Sequence, residues 1–348
     1  MIIRILHSHL LPAPYSGQVN LISTEVNEGD YDIVIPFMTD IHHSPFNDLK
    51  WYGNIYNENI RRVEPFIEMT HKLNPTLTVY GGDYSYDWNT MEVMRKAMHE
   101  LYKEMEKAKG TKVYMCGNHD FGDSLNYGKQ DENRPMSNEE FNKLFGSKGS
   151  DEMYFYYDIL DKKTRIVFMN TSDSYILTPN GHQKYNRCLD EASNVIGREQ
   201  VEWLVNEALN TPTEGWRIIL MGHVPLRDNL HNGKAVAQIL NARNNNHSIS
   251  IKNTDSNEDF NVDMNIDFTK YKGCEIVGYI SGHTHYDQSV KYHNINVLST
   301  TLAKGSDSIK NVPINLGSTV FDIYCFKLFK REIHVYRFGK GIPRIIKW

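Results

Sequence analysis

The chain has 348 residues, 40% of them hydrophobic, and a formal net charge of −5 from 38 basic and 43 acidic side chains. That length carries one large α/β domain or two ordinary ones, and the composition excludes a disordered chain. The mild acidity leaves no electrostatic footprint for general nucleic-acid binding beyond a local basic patch.

The opening "MIIRILHSHLLPAPYSG" breaks its short apolar pieces with His7, His9, Pro12 and Pro14, so no signal peptide is expected. No run approaches the length of a transmembrane helix. The cysteines Cys116, Cys188, Cys274 and Cys325 form no C-x-x-C pair. Neither a disulfide framework nor a Cys-type zinc site is expected, and free thiols fit a cytoplasmic chain.

"YDIVIPFMT" from Tyr31 to Thr39 predicts a buried strand. A helical segment follows around Ile60 to Leu73, where Pro65 marks a kink or the true helix start. "TLTVYGG" from Thr76 is the next strand, and Met91, Met94, Met98, Leu101 and Met105 form a helical stripe read as core. "TKVYM" predicts a third strand, and "SNEEF" from Ser137 has the S-x-x-E pattern of a capping box. "RIVFMN", "WRIILMG" and "CEIVGYISG" read as strands, and "REQVEWLVNEALN" from Arg198 as an amphipathic helix. The polar, Asn-rich stretch from Asn241 to Asn265 reads as an inserted exposed loop. "INVLST", "TVFDIYCFKL" and "EIHVYRF" alternate and predict antiparallel strands. Strands alternating with helices predict an α/β sandwich. We read one domain, with a core over about 31–300, an N-terminal extension over 1–30 and closing strands over about 301–348.

The ends of the strands carry the chemistry. The first ends in "TDIHH" with Asp40 and His42, the second in "GGD" with Asp83, and the third in "GNHD" with Asn118 and His119. Two later strands end in "GHVP" with His223 and "GHTH" with His283 and His285. Any one of these is ordinary turn chemistry or a hydrogen-bonded core histidine. Together, at five strand ends of an α/β sheet and usually beside a glycine, they converge on the crevice where such sheets bind ligands. Mixed nitrogen and oxygen donors suit borderline first-row ions: manganese foremost, with iron, zinc, nickel or cobalt also accepted. Seven donors exceed one tetrahedral ion and fit two ions about 3.5–4 Å apart that share a carboxylate, a pair that generates hydroxide at neutral pH. His7 and His9 stand on no strand end of this series.

In order, D-x-H, G-D, G-N-H-D, H and G-H-x-H from Asp40 to His285, the chain resembles the calcineurin-like metallophosphoesterases. The resemblance implies a four-layer α/β/β/α sandwich of two mixed sheets flanked by helices. It implies that Asp40, His42 and His285 hold one ion, that Asp83 bridges, and that Asn118, His223 and His283 complete the second site. His119 is then the acid that protonates the leaving oxygen, a task suited to an imidazole. Asp120 either orients His119 or caps the following turn, and the cap is the reading adopted. Many members read G-D-x-x-D, whereas "GGDYSYDW" puts Tyr86 at that position and Asp87 one later. Either the loop bulges by a residue, or another group supports His119. Arg227 has two readings, a contact to substrate phosphate or a surface role. Tyr84, Tyr86 and Trp88 either stack on a base or sugar or pack in the core.

The implied function is a dinuclear metal-dependent phosphoesterase acting on a small phosphate mono- or diester by attack of metal-bound hydroxide. The alternatives are a nuclease of the same superfamily and a binding or virion structural protein that keeps the fold without turnover. No basic module favours a nucleic-acid polymer, and nothing in the sequence sets the oligomeric state.

Overall fold

Apolar strands with short, polar connections sort into two sheets. The computed structural model describes residues 13–45, 59–146, 153–189, 194–253, 257–303 and 319–348. His7 and His9 lie outside them. In chain order the elements begin with α1 (Ala13–Glu28), β1 (Ile33–Met38), α2 (Val63–Lys72), β2 (Thr78–Tyr80), α3 (Met91–Met105) and β3 (Lys112–Tyr114). They continue with α4 (Asp123–Asn126), α5 (Asn138–Phe145), β4 (Phe155–Ile159), β5 (Thr164–Met169), α6 (Arg198–Trp203), β6 (Trp216–Gly222) and α7 (Gly233–Asn244). The remainder is β7 (Ser248–Asn253), β8 (Val262–Asp267), β9 (Cys274–Ser281), β10 (Gln288–Tyr292), β11 (Ile295–Ser299), β12 (Phe321–Lys327), β13 (Glu332–Phe338) and β14 (Arg344–Lys347).

One six-stranded sheet runs β14-β13-β12-β1-β2-β3 and the other β10-β11-β9-β6-β5-β4. In the first, β1, β2 and β3 are parallel and β12 is antiparallel to β1. In the second, β5, β6, β9 and β11 are parallel. Alternation along each strand divides its residues between two layers. Ile33, Ile35 and Phe37 of β1 meet Ile219 and Met221 of β6 between the sheets, while Ile218 and Leu220 face the helices of the second sheet. Helices α1, α2, α3 and α5 cover the first sheet, and α6 and α7 cover the second. The layers are therefore α/β/β/α.

Local chemistry explains several boundaries. Pro65 stands at the third residue of α2, where its missing N–H has no intrahelical acceptor in any case, so it marks a start and not a kink. The methionine stripe of α3 is fully buried. Ser137 and Glu140 form a complete capping box on α5. The helix expected over 198–210 is α-helical to Trp203 and then widens into a π turn over Leu204–Ala208, closed by Leu209 N–H to the Leu204 carbonyl at 2.8 Å.

The N-terminal extension contains α1, whose Tyr15, Val19, Ile22 and Val26 recur at three- and four-residue spacing and are buried. Two expectations are corrected. The Asn-rich stretch is not a loop: it holds the end of α7 and the hairpin β7–β8, with Ile249 opposite Ile266 and Ile251 opposite Met264. Ile251, Val262 and Ile266 are buried, so a period-two pattern was masked by polar composition. The strand at "INVLST" is antiparallel to β10 but parallel to β9.

Candidate metal centre and active site

Because β1, β2, β3, β6 and β9 are parallel within their sheets, their carboxyl ends open at common edges of the sandwich. Hydrogen bonds between the turns hold these ends together. Asp40 N–H donates to the Gly82 carbonyl at 3.0 Å, His42 N–H to the Asp83 carbonyl at 2.9 Å, and Gly282 N–H to the His223 carbonyl at 2.9 Å. Two glycines are there because the turns nearly touch: a Cβ on Gly117 would strike the Asp83 carboxylate, and one on Gly282 would strike Asp40 and Thr39. Asp40, His42, Asp83, His283 and His285 all adopt left-handed backbone, with φ of 55°, 47°, 55°, 67° and 58°.

Two donor groups result. In the first, His285 Nε2 lies 3.2 Å from Asp40 Oδ1 and 3.2 Å from His42 Nε2, which is 3.7 Å from Asp83 Oδ2. In the second, His223 Nε2 lies 3.1 Å from Asp83 Oδ2, and His283 Nδ1 lies 3.0 Å from the Asn118 side-chain oxygen. Asp83 belongs to both.

The donor atoms fit divalent cations. Asp40 Oδ1 and His223 Nε2 are buried without a hydrogen-bond partner, an arrangement that leaves desolvated lone pairs uncompensated unless an ion meets them. His223 Nδ1 lies 2.7 Å from the Gly81 carbonyl, which can only accept, so Nδ1 carries a hydrogen and Nε2 is the atom aimed at the centre. Burial opposes a charged His223, but the buried carboxylates of Asp83 and Asp40 outweigh it and lift its pKa to about 9, so an ion taking Nε2 would displace a proton. Burial prevails at His42 and His283, which fall to about 4 and about 3 and are neutral at pH 7, as metal ligation would require.

His119 stands beside this centre, its ring centroid 5.3 Å from that of His42. Its backbone N–H donates to Asp83 Oδ1 at 2.9 Å and its Nδ1 lies 2.7 Å from Asp87 Oδ1. Asp87, one residue beyond the expected position, thus reaches His119 across a loop tied down by Tyr86 N–H to the His43 carbonyl at 3.0 Å. Asp87 is fully buried and also accepts from Ser124. Burial lowers the His119 pKa, but Asp87 first, then Cys188 and Asp83, carry it well above 6.5.

Asp120 accepts from the backbone N–H groups of Gly117, Asp83 and Tyr84 at 2.7, 2.9 and 2.6 Å, stapling the turn after β2 to the turn after β3. Its carboxylate therefore caps the turn before it, not the one after. Arg227 is half-buried with an unpartnered Nε, and its charge is felt at His283. Tyr84 is core: its hydroxyl donates to the Tyr80 and Met115 carbonyls and its ring packs on Phe145. Tyr86 is half-buried and Trp88 is exposed. Ser124 and Cys188 were not anticipated. Cys188 Sγ lies 3.2 Å from His119 Nδ1, on a segment far from it in sequence, and no local motif signals that contact. All four cysteines are free.

Residues 33–287 match the calcineurin-like phosphoesterase family model. The chain belongs to this family. As a calcineurin-like phosphoesterase it is a metal-dependent phosphoester hydrolase that takes divalent ions and a phosphate-ester substrate. Its fold is similar to that of a dimetal phosphatase from Danio rerio, with a TM-score of 0.61 at 12% identity over 91% of this chain and 99% of that one. A purple acid phosphatase from yellow lupin (Lupinus luteus) seeds aligns at 10% identity and a TM-score of 0.43, covering 90% of this chain and 52% of the lupin chain. No curated protein matches the chain. Among the described residues no helix is long and apolar enough to cross a membrane.

Proposed function

We propose that this phosphoesterase hydrolyses a small phosphate mono- or diester with two transition ions, manganese foremost. Asp40, His42 and His285 hold one ion, Asn118, His223 and His283 the other, and Asp83 bridges. Bound there, such ions polarise phosphoryl oxygens and lower the pKa of water. The chain's own residues do the rest. His119 carries a proton on Nε2 and passes it to the oxygen of the departing group, so that an alcohol and not an alkoxide leaves. Asp87, on Nδ1, fixes the imidazole's orientation and favours its protonated form. The half-buried Arg227 guanidinium neutralises phosphate charge at the rim, and Asp120 acts by holding the two turns in register. Four free thiols suit a reducing compartment such as the cytoplasm.

The observation that carries this reading is Asp83, shared by two donor groups with the His119–Asp87 pair alongside. Metal content per chain, measured with turnover of bis-p-nitrophenyl phosphate and p-nitrophenyl phosphate under added manganese, tests it. Two ions and turnover abolished by Asp83→Ala are expected, and the diester-to-monoester ratio assigns the substrate class. A reconstituted protein that stays metal-free and inert would replace this reading with a non-catalytic binding protein.

A further inference from the structure

The pairing of His119 with Asp87 leaves one close neighbour unexplained. Cys188 Sγ lies 3.2 Å from the same His119 Nδ1 that faces Asp87, and 3.0 Å from Ser124 Oγ. A single N–H on Nδ1 is already directed at the Asp87 carboxylate at 2.7 Å, so orienting the imidazole does not require the thiol. What the thiol adds is a third kind of donor. Imidazole nitrogen, carboxylate oxygen and sulfur converge here within 4.8 Å, and Ser124 Oγ contacts both Asp87 and Cys188.

The spacing of this group resembles that of the dinuclear centre. Its donor separations of 2.7 and 3.2 Å stand beside 3.2 Å for His285–Asp40, 3.1 Å for His223–Asp83 and 3.2 Å for His42–His285. The donor sets differ in softness. The centre offers nitrogen and oxygen only, whereas this group includes sulfur, which zinc and cadmium prefer over manganese or magnesium. Three protein donors with one position left open is a stable arrangement for zinc. The His119 side chain is 27% exposed and Cys188 is partly exposed, so an ion can reach them from solvent.

We propose that Asp87, His119 and Cys188 form a third, inhibitory metal site that takes a thiophilic divalent ion such as zinc or cadmium. An ion there takes Nδ1 and Cys188 Sγ, and the Nδ1 and thiol protons both leave to solvent as the metal–nitrogen and metal–sulfur bonds form, while the ion's charge neutralises Asp87. The imidazole is then fixed as a ligand, detached from Asp87, and cannot serve as the acid. The site itself stands on donor geometry alone, while the inhibition rests on the role given above to His119.

The test uses the full chain loaded with manganese, titrated with cadmium, and compares it with Cys188→Ala and Cys188→Ser. Three readouts are followed: total metal per chain, the ultraviolet thiolate-to-cadmium charge-transfer band, and turnover of bis-p-nitrophenyl phosphate. The wild type is expected to take three ions, show the band and lose turnover on the order of a hundredfold, the scale of a lost general acid. Both variants are expected to stop at two ions, lack the band and keep their turnover in cadmium. A wild type that stops at two ions, or variants that still take a third, would overturn the site. A third ion that depends on Cys188 yet leaves turnover intact would overturn the inhibition. Turnover of His119→Gln then separates the cases: if it matches wild type, the acid assignment has failed, and if it collapses, the bound ion leaves His119 working.

Discussion

Asp40, His42, Asp83, His283 and His285 hold left-handed backbone that side chains other than glycine adopt at a cost of about 1 kcal/mol or more each. Their strain is borne by the rigid strand ends on which they sit, and it aims five side chains inward. His119 and Asp120, neighbours in sequence, do different work, and substitutions should separate them. In the proposed role only protonated His119 can donate, so turnover should fall as pH rises through its pKa, which Asp87 raises above 6.5 against burial. In Asp87→Asn burial prevails, and the falling limb of the pH–rate profile should move to lower pH, with about a hundredfold loss of kcat near neutrality and unchanged metal content. Asp120→Ala should instead leave three buried backbone N–H groups without an acceptor, a loss on the order of 3 kcal/mol in denaturant unfolding. At this scale the sequence was legible where a residue stood at a strand end, as Asp40 does, and most plainly beside glycine, as Asp83 and His223 do. Asp87 was half legible, since the one-residue offset concealed its partner. Cys188 and Ser124 were illegible, because tertiary folding alone brings them to His119.

Among the elements, those with strong local signals are the ones the sequence marks well. The box at Ser137 and Glu140 caps α5, and Ser137→Ala should cost about 1 kcal/mol in thermal or denaturant unfolding, with metal content unaffected. The stripe on α3 seals the helix layer over the first sheet, and Met98→Ala should cost about 3 kcal/mol, since it opens a cavity in a fully buried position. Hairpin β7–β8 shows why legibility ends. Its alternating Ile249, Ile251, Val262, Met264 and Ile266 lie among so many asparagines and serines that mean composition conceals the period. Helix α1 escaped notice for a related reason, as its apolar face is four residues spread over an otherwise polar segment.

For the whole molecule, bound ions should be part of the folding energy, because the centre joins turns from both sheets. If two ions each bind at about a thousand times their Kd, linkage supplies about 8 kcal/mol, and chelation should lower the melting temperature by about 10 °C. Calorimetry with and without a chelator checks this. Strands β12 and β13 of the first sheet are tied to the same centre. Arg337 on β13 donates to Asp322 on β12 at 2.6 Å and to Asp287, just past His285, at 2.6 Å. Thr301 in turn donates to the His285 carbonyl at 2.7 Å. The alternation of strands and helices made the sandwich legible, but which strand lies beside β1 was not, since Ile33 pairs with Phe326 at the opposite end of the chain. On the ribosome that pairing sets an order of events. Strand β1 and every proposed metal ligand through His285 are synthesised before β12 exists, a wait of roughly half a minute at ordinary elongation rates. Throughout it the apolar strand that leads into Asp40 and His42 presents an open edge, and a nascent chain in that state is exposed to pairing with its neighbours until its own last strands arrive.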